Sequence, residues 1–285
     1  MNKLDREARA KILHLLCEGS SIRAVTRLTG ASKNTVTKLL VDAGHACAAY
    51  QDRVLRNLSC KRVQVDEIWS FVYAKADNVA KAKAAPIDSG DVWTWTAIDA
   101  DTKLLVSFYV GDRTYASARP FIDDLAERLA NRVQLTSDGH RSYLVAVREA
   151  FGNDIDYGQL QKIYGADPAS EKRYSPAKCI GAERKPKIGN PDPDHISTSY
   201  VERANLTMRM HMRRFTPLTN AFSKKIENHA CSIALRTMFY NFVRIHQTLK
   251  ISPAMAAGVT DRLWEMKDVV DVIEAFEATR KRAAV

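Results

Sequence analysis

The chain contains no run of about 18 apolar residues, the length a membrane-spanning helix needs, so no membrane span and no membrane partner are expected. Cysteine is sparse: Cys17, Cys47, Cys60, Cys179 and Cys231 make an odd set of five with no Cys-x-x-Cys pair. That argues against a disulfide framework and against a zinc ribbon. Scattered cysteines of this kind read as small core residues in a reducing cytoplasm, the expected location. The opening MNKLDREARA is charged and lacks the apolar stretch of a secretory signal. Internal repeats are absent, which removes solenoids and propellers.

Apolar residues form 46% of the 285 positions, enough for a packed core and too many for global disorder. Lys and Arg number 43 against 33 Asp and Glu, a formal net charge of +10. A balance of that sign suits a polyanion, nucleic acid before an anionic membrane surface. A basic enzyme with a solvated surface is the plainer alternative.

Residues 4–18 carry Ile12, Leu13, Leu15 and Leu16 at helical spacing, and Gly19 ends that run. Ser20 and Ser21 offer caps for a second helix with Ile22, Val25 and Leu28 at three-residue steps. The turn is 29–31, and Ser32 caps a third helix carrying Val36, Leu39 and Leu40 and ending near Gly44. Three short helices with glycine in the last turn are the layout of a helix-turn-helix. Its third helix would present Lys33, Asn34, Thr35, Thr37 and Lys38 to the phosphates and base edges of double-stranded DNA. The same pattern also fits a plain three-helix bundle with a solvated face.

Residues 45–60 read as a linker or connecting helix. Residues 62–74 alternate and are rich in β-branched and aromatic side chains, as a strand requires. Residues 91–99 and 103–110 form two further strands joined as a hairpin. A helix over 115–130, a strand over 132–137, a helix over 142–151 and a strand over 154–163 follow. The stretch 165–197, rich in Gly, Pro, Lys and Arg and including Pro168 and Pro176, reads as a long irregular basic segment. Helical character returns over 197–214 and is closed by Pro217; a longer helix spans 222–247, and a last one includes Trp264.

Strands first, then helix, strand and helices, is the order of a ribonuclease-H-like domain. The expected class is α/β: a mixed-sheet catalytic domain of that kind (62–250), preceded by an all-α helix-turn-helix domain (1–50) and a linker (51–61), and followed by a helical tail (251–285). Such a fold holds acidic residues on its first strand, at the end of its fourth and on a later helix. Asp66, Asp138 and Glu202 occupy those places. Asp66 lies in an otherwise apolar strand, where a carboxylate needs a partner. Because strand side chains alternate, only one of Asp66 and Glu67 is expected to face a site shared with Asp138. Three converging oxygen ligands suit a hard divalent cation, Mg²⁺ with Mn²⁺ as substitute, and phosphoryl transfer by positioning and charge neutralisation. Taken singly, Asp138 also reads as a turn cap and Glu202 as a solvated helix residue.

Residues 65–71 (VDEIWSF), 136–143 (TSDGHRSY), 200–205 (YVERAN) and 240–249 (YNFVRIHQTL) resemble the motifs of bacterial insertion-sequence transposases of the DDE type. The likeness is greatest to the insertion-sequence-one family and covers most of 20–265. It implies a DNA transposase that cuts element ends and joins them to target DNA, working as an assembly of more than one copy. It also implies Asp66, Asp138 and Glu202 as both catalytic residues and metal ligands. Arg209 stands where the family often has a basic residue, seven positions after the glutamate; Arg203 and Arg213 would line the DNA path with it. Unlike many relatives, the chain has no N-terminal cysteine cluster, and its gap from Asp138 to Glu202 is long. Two other readings remain: a DNA-binding regulator without catalysis, and a ribonuclease-H-like nuclease without strand transfer.

Overall fold

The computed structural model describes residues 4–165, 179–216 and 220–283. Pro168, Pro176 and Pro217, to which the sequence assigns loop or helix-ending roles, lie outside the described residues. Three helices open the chain: α1 (Arg6–Cys17), α2 (Ile22–Thr29) and α3 (Lys33–Val54). Each has the cap its start needs. Asp5, Ser21 and Ser32 accept from Ala8, Ala24 and Thr35 N–H at 2.7, 3.1 and 3.1 Å. Gly30 ends α2 at φ +73°, a left-handed conformation glycine adopts without strain.

The third helix does not stop near Gly44 but continues to Val54, absorbing most of the stretch read as a linker. Gly44 acts here as a contact rather than a stop. It faces α8 (Ile226–Met238), and a Cβ at Gly44 would lie 2.2 Å from the Cys231 Cβ and 2.4 Å from its Cα. Glycine lets two backbones approach, so the helix passes through it.

The chain then alternates strands and helices: β1 (Arg62–Val72), α4 (Ala76–Val79), β2 (Gly90–Asp99), β3 (Leu105–Gly111), α5 (Tyr115–Arg128), β4 (Gln134–Asp138), α6 (Arg141–Phe151), β5 (Asp156–Tyr164) and β6 (Cys179–Ile188). α7 (Ser199–His211) and α8 follow, then a π turn over Phe239–Val243, α9 (Pro253–Ala256) and α10 (Met266–Ala283). The helix expected over 222–247 is therefore shorter, and Trp264 precedes the last helix instead of lying in it.

The sheet is six-stranded in the order β3-β2-β1-β4-β5-β6. β1, β2 and β3 are antiparallel neighbours; β4 runs parallel to β1 and β5 parallel to β4. This is the mixed α/β, ribonuclease-H-like sheet expected from the element order. β6 corrects the reading of 165–197 as irregular throughout. It pairs antiparallel with β5 at the sheet edge and is exposed along nearly its whole length. An edge strand wet on both faces has no apolar alternation to betray it. Pro186 sits opposite Gly158, next to a register shift, where a missing N–H costs least.

One face of the sheet is covered by α5 and α6: Trp95 of β2 meets Phe121 and Tyr143 at ring distances of 6.0 and 5.2 Å. α7 and α8 cover the other, where Ile68, Met208, Met212, Phe215 and Ile233 pack together. A single larger cluster runs from Ile12 and Leu13 through Val65 and Leu135 to Leu235 and Val269. The N-terminal helices thus share a core with the sheet and α10.

Alanine favours helix over glycine by about 1 kcal/mol, whereas forcing a methyl into a filled contact costs about 1–3 kcal/mol. With backbone atoms at 2.4 Å the second effect wins. Gly44→Ala should therefore lower the urea midpoint of unfolding by an equivalent of about 1–2 kcal/mol. A raised midpoint would mean that α3 and α8 are not held this closely.

Candidate active site

β1 lies at the point where the sheet changes from antiparallel to parallel neighbours, and ligands of open α/β sheets gather at the carboxyl ends of strands near such points. β1 and β4 pair from Arg62 with Gln134 to Gln64 with Thr136. Two residues further along each strand stand Asp66 and Asp138. One carboxylate oxygen each from Asp66, Glu67 and Asp138 lies within 4.8 Å of the others. The alternation argument, which admitted only one of Asp66 and Glu67, is thereby corrected. The two side chains do leave opposite faces, Asp66 toward Asn205 of α7 and Glu67 toward Tyr143 of α6. But β1 and β4 pair only as far as Gln64 and Thr136, so no hydrogen-bonded ladder joins the two strands at Asp66 and Asp138.

Asp66 is the electrostatically costly member. Burial, followed by the charges of Glu67 and Asp138, pushes its pKa from 3.8 up to about 7. The Asn205 amide opposes this by donating to Oδ2 at 2.9 Å. Thr96, directly across β2 from Asp66, donates to the Asn205 carbonyl at 3.0 Å and so fixes the amide with its NH₂ toward the carboxylate. Glu67 is satisfied at both oxygens, by Arg113 Nε at 2.7 Å and Tyr143 OH at 2.9 Å. Arg113 also lies 3.9 Å from Asp138 and stacks over the Trp93 ring at 4.7 Å. Burial, then the charges of Glu67, Asp66 and Asp138, drives the Tyr143 hydroxyl well above its ordinary range, so it remains a donor.

Glu202 lies outside that three-carboxylate cluster. It sits in the first turn of α7, one turn before Asn205 and on the same side of the helix. Lys162 of β5 donates to its Oε1 at 2.6 Å, as does Thr198. Although burial pulls the Lys162 pKa down, the bond to Glu202 and the charges of Glu202 and Asp66 leave it raised. Gln64 of β1 accepts from the Tyr200 and Val201 N–H groups at 2.8 and 3.1 Å. The strand that carries Asp66 thus also caps the helix that carries Glu202 and Asn205.

Among the residues expected to meet DNA, Lys33, Asn34 and Lys38 are exposed at the start of α3, and Lys38 pairs with Asp42 at 2.5 Å. Thr35 and Thr37 are half-buried; Thr37 donates to the Lys33 carbonyl at 2.9 Å. Arg203 and Arg209 are exposed along α7, and Arg213 is exposed just beyond it. Arg113 and Lys162 escaped the sequence reading, Glu67 was weighed only as an alternative to Asp66, and Asn205 was given no role although it lies three residues after Glu202 within one motif.

The donor set fits a hard divalent cation: carboxylate oxygens, crowded and partly buried, whose mutual repulsion an ion would relieve. The pH consequence has a definite sign. Between about pH 4 and the folded value near 7, folded Asp66 keeps a proton that the unfolded chain has lost. Its contribution to stability is full below pH 3.8 and disappears as pH rises through about 7. In chelator, the melting temperature should fall more steeply between about pH 5 and about pH 8 than that of Asp66→Asn. Mg²⁺ or Mn²⁺ should raise it at the upper pH only, and not in the variant. Parallel pH profiles for the two proteins would remove Asp66 as the responsible group.

No family model and no curated protein sequence matches the chain. Among solved structures it is similar to a piggyBac transposase synaptic complex with hairpin DNA, at 9% identity and a TM-score of 0.44, over 100% of this chain and 74% of that one. It is also similar to a Mos1 transposase paired-end complex with the left transposon end, at 15% identity and a TM-score of 0.25, over 55% of this chain and 60% of that one. A Mos1 strand transfer complex gives 14% identity and a TM-score of 0.25 over 84% of this chain and 78% of that one. These are distant likenesses of shape.

Proposed function

We propose that this chain is a DNA transposase that cuts the ends of a mobile element and joins them to target DNA. The observation that carries the reading is the convergence of Asp66, in the middle of β1, and Asp138, at the end of β4, beneath a helix that carries Glu202 and Asn205. The motifs around these residues, similar to those of the insertion-sequence-one family, agree with it.

Asp66, Asp138 and Glu202 would hold the divalent ions, with Mg²⁺ the expected species. Bound ions would supply charge neutralisation at the scissile phosphate and lower the pKa of an attacking water. Glu67 is the weaker third ligand, since both its oxygens are already engaged. Its role is to anchor Arg113 beside Asp138. Asn205 orients the Asp66 carboxylate, and Lys162 holds Glu202 until DNA enters. Water attack on the scissile phosphodiester releases a 3′-hydroxyl, which then attacks a target phosphodiester. Neither step needs a covalent protein intermediate. The first 50 residues, with Lys33, Asn34, Thr35, Thr37 and Lys38, would grip element ends, and Arg203, Arg209 and Arg213 would guide the backbone. Joining two ends needs more than one copy of the chain.

The test is incubation of the purified protein with a plasmid bearing the DNA that flanks its own gene, in Mg²⁺ or Mn²⁺, mapping new 3′-ends and joined products. Asp66→Asn, Asp138→Asn and Glu202→Gln should each lose cleavage by a hundredfold to on the order of a thousandfold while still binding DNA. Cuts without joined products favour a nuclease; specific binding without cuts in any metal favours a regulator. Loss of cleavage in Glu67→Gln with full activity in Glu202→Gln would make Glu67 the third ligand.

A further inference from the structure

A basic cleft of about 610 Å³ separates the turn between α1 and α2 and the start of α3 from residues 211–214, 220–224 and one side of α8. Arg23, Lys33, Arg213, Arg214, Lys224 and Arg236 line it, and no Asp or Glu does. Arg236 is enclosed and Arg214 is half-buried. Arg236 is 4% exposed, and its Nη1 has no hydrogen-bond partner among the described residues. Burial pushes the Arg214 pKa down to about 10, and one of its nitrogens donates to the Ser223 hydroxyl.

The contrast with the chain's other buried arginines is informative. Arg128 bonds Asp124 and Asp52, and Arg9 bonds Glu274. Among the described residues neither Arg214 nor Arg236 forms an ion pair with a carboxylate. A buried guanidinium without an ion-pair partner is destabilising, and Glu18 acts on Arg236 only through space, so a site that keeps Arg236 enclosed beside half-buried Arg214 is built for an anion from outside. A phosphodiester suits the geometry, because guanidinium offers forked donors to its oxygens.

We infer that this cleft holds a backbone phosphate of the bound DNA, and that it couples the helix-turn-helix to the carboxylates. The inference rests on the transposase reading. Two placements support it. Lys33 and Thr37, on the side of α3 expected to face DNA, form part of the cleft wall. α7 runs from Glu202 to His211, which also lines the cleft; nine residues of helix rise about 14 Å, or roughly four nucleotide steps along a strand. A phosphate seated here would fix where the duplex reaches the carboxylates.

The experiment measures binding of a terminal-end duplex to the full chain carrying Asp66→Asn, so that cleavage does not interfere, with and without Arg236→Met, across a salt series. Arg236→Met should weaken binding on the order of tenfold and reduce the slope of log affinity against log salt by about one. The DNA-free melting temperature should stay level or rise, which a structural arginine would not allow. Unchanged affinity and slope would overturn the inference, as would a lower melting temperature with affinity intact. Inorganic phosphate is the second probe. If it raises the melting temperature only when Arg236 is present, yet DNA affinity ignores Arg236, the anion is a free phosphate and the DNA assignment fails. Absence of any DNA binding by the parent protein would instead bring down the transposase reading itself.

Discussion

A carboxylate placed in the middle of a central strand, with a second carboxylate beside it in sequence and a third at the next strand's end, is the constraint around which this molecule is built. Left alone, Asp66 would remain protonated near neutral pH, since burial and its two neighbours all favour the neutral form. The surroundings limit the repulsion without abolishing it. Arg113 and Tyr143 satisfy Glu67, Arg113 leans toward Asp138, and Asn205 supports Asp66. A proton on Asp66 lowers the remaining cost below about pH 7, and above it a divalent cation would do so, a role the clustered carboxylate oxygens suit.

Alternation in β1 does most of the positioning. Gln64 and Asp66 point to the same face, and both engage α7, one through the helix's free N–H groups and the other through Asn205. Glu67 points to the opposite face and engages α6. Ile68, back on the first face, packs with Met208, Met212 and Ile233. Five consecutive residues therefore fix a helix, orient a ligand, anchor an arginine and seed the core. A one-residue slip of β1 would reverse every one of these assignments, so its register against β2 is a functional quantity as much as a structural one.

Local signals were readable in the sequence wherever side chain and backbone state the same preference. Ser21 and Ser32 cap the helices they precede, and the alternating β-branched run of β1 is a strand. The misreadings share one cause: the deciding partner lies far away in the chain. Gly44 resembles a helix stop until Cys231 is brought against it. β6 resembles a loop because its order comes from hydrogen bonds to β5 and not from burial. Glu67 was weighed against Asp66 by alternation, a rule that decides which face each side chain leaves but not whether their carboxylates meet beyond the last β1–β4 pair. Lys162 and Arg113 are ordinary basic residues in sequence; only the fold brings them to Glu202 and Glu67.

The net charge of +10 also hides an internal division. Carboxylates gather in the middle of β1 and at the end of β4, while cationic groups line the cleft beside α3. A rigid link between the two poles matters more than the size of either. That link is present: α3 packs against α8 at the Gly44–Cys231 contact, and α7 leads from the carboxylates to the cleft. With the three N-terminal helices sharing one apolar cluster with the sheet and α10, a duplex held by α3 as proposed would have little freedom to wander relative to the carboxylates. On the proposed reading, phosphoryl transfer that depends on positioning would gain most from such rigidity, because recognition at one pole would then set the scissile bond at the other.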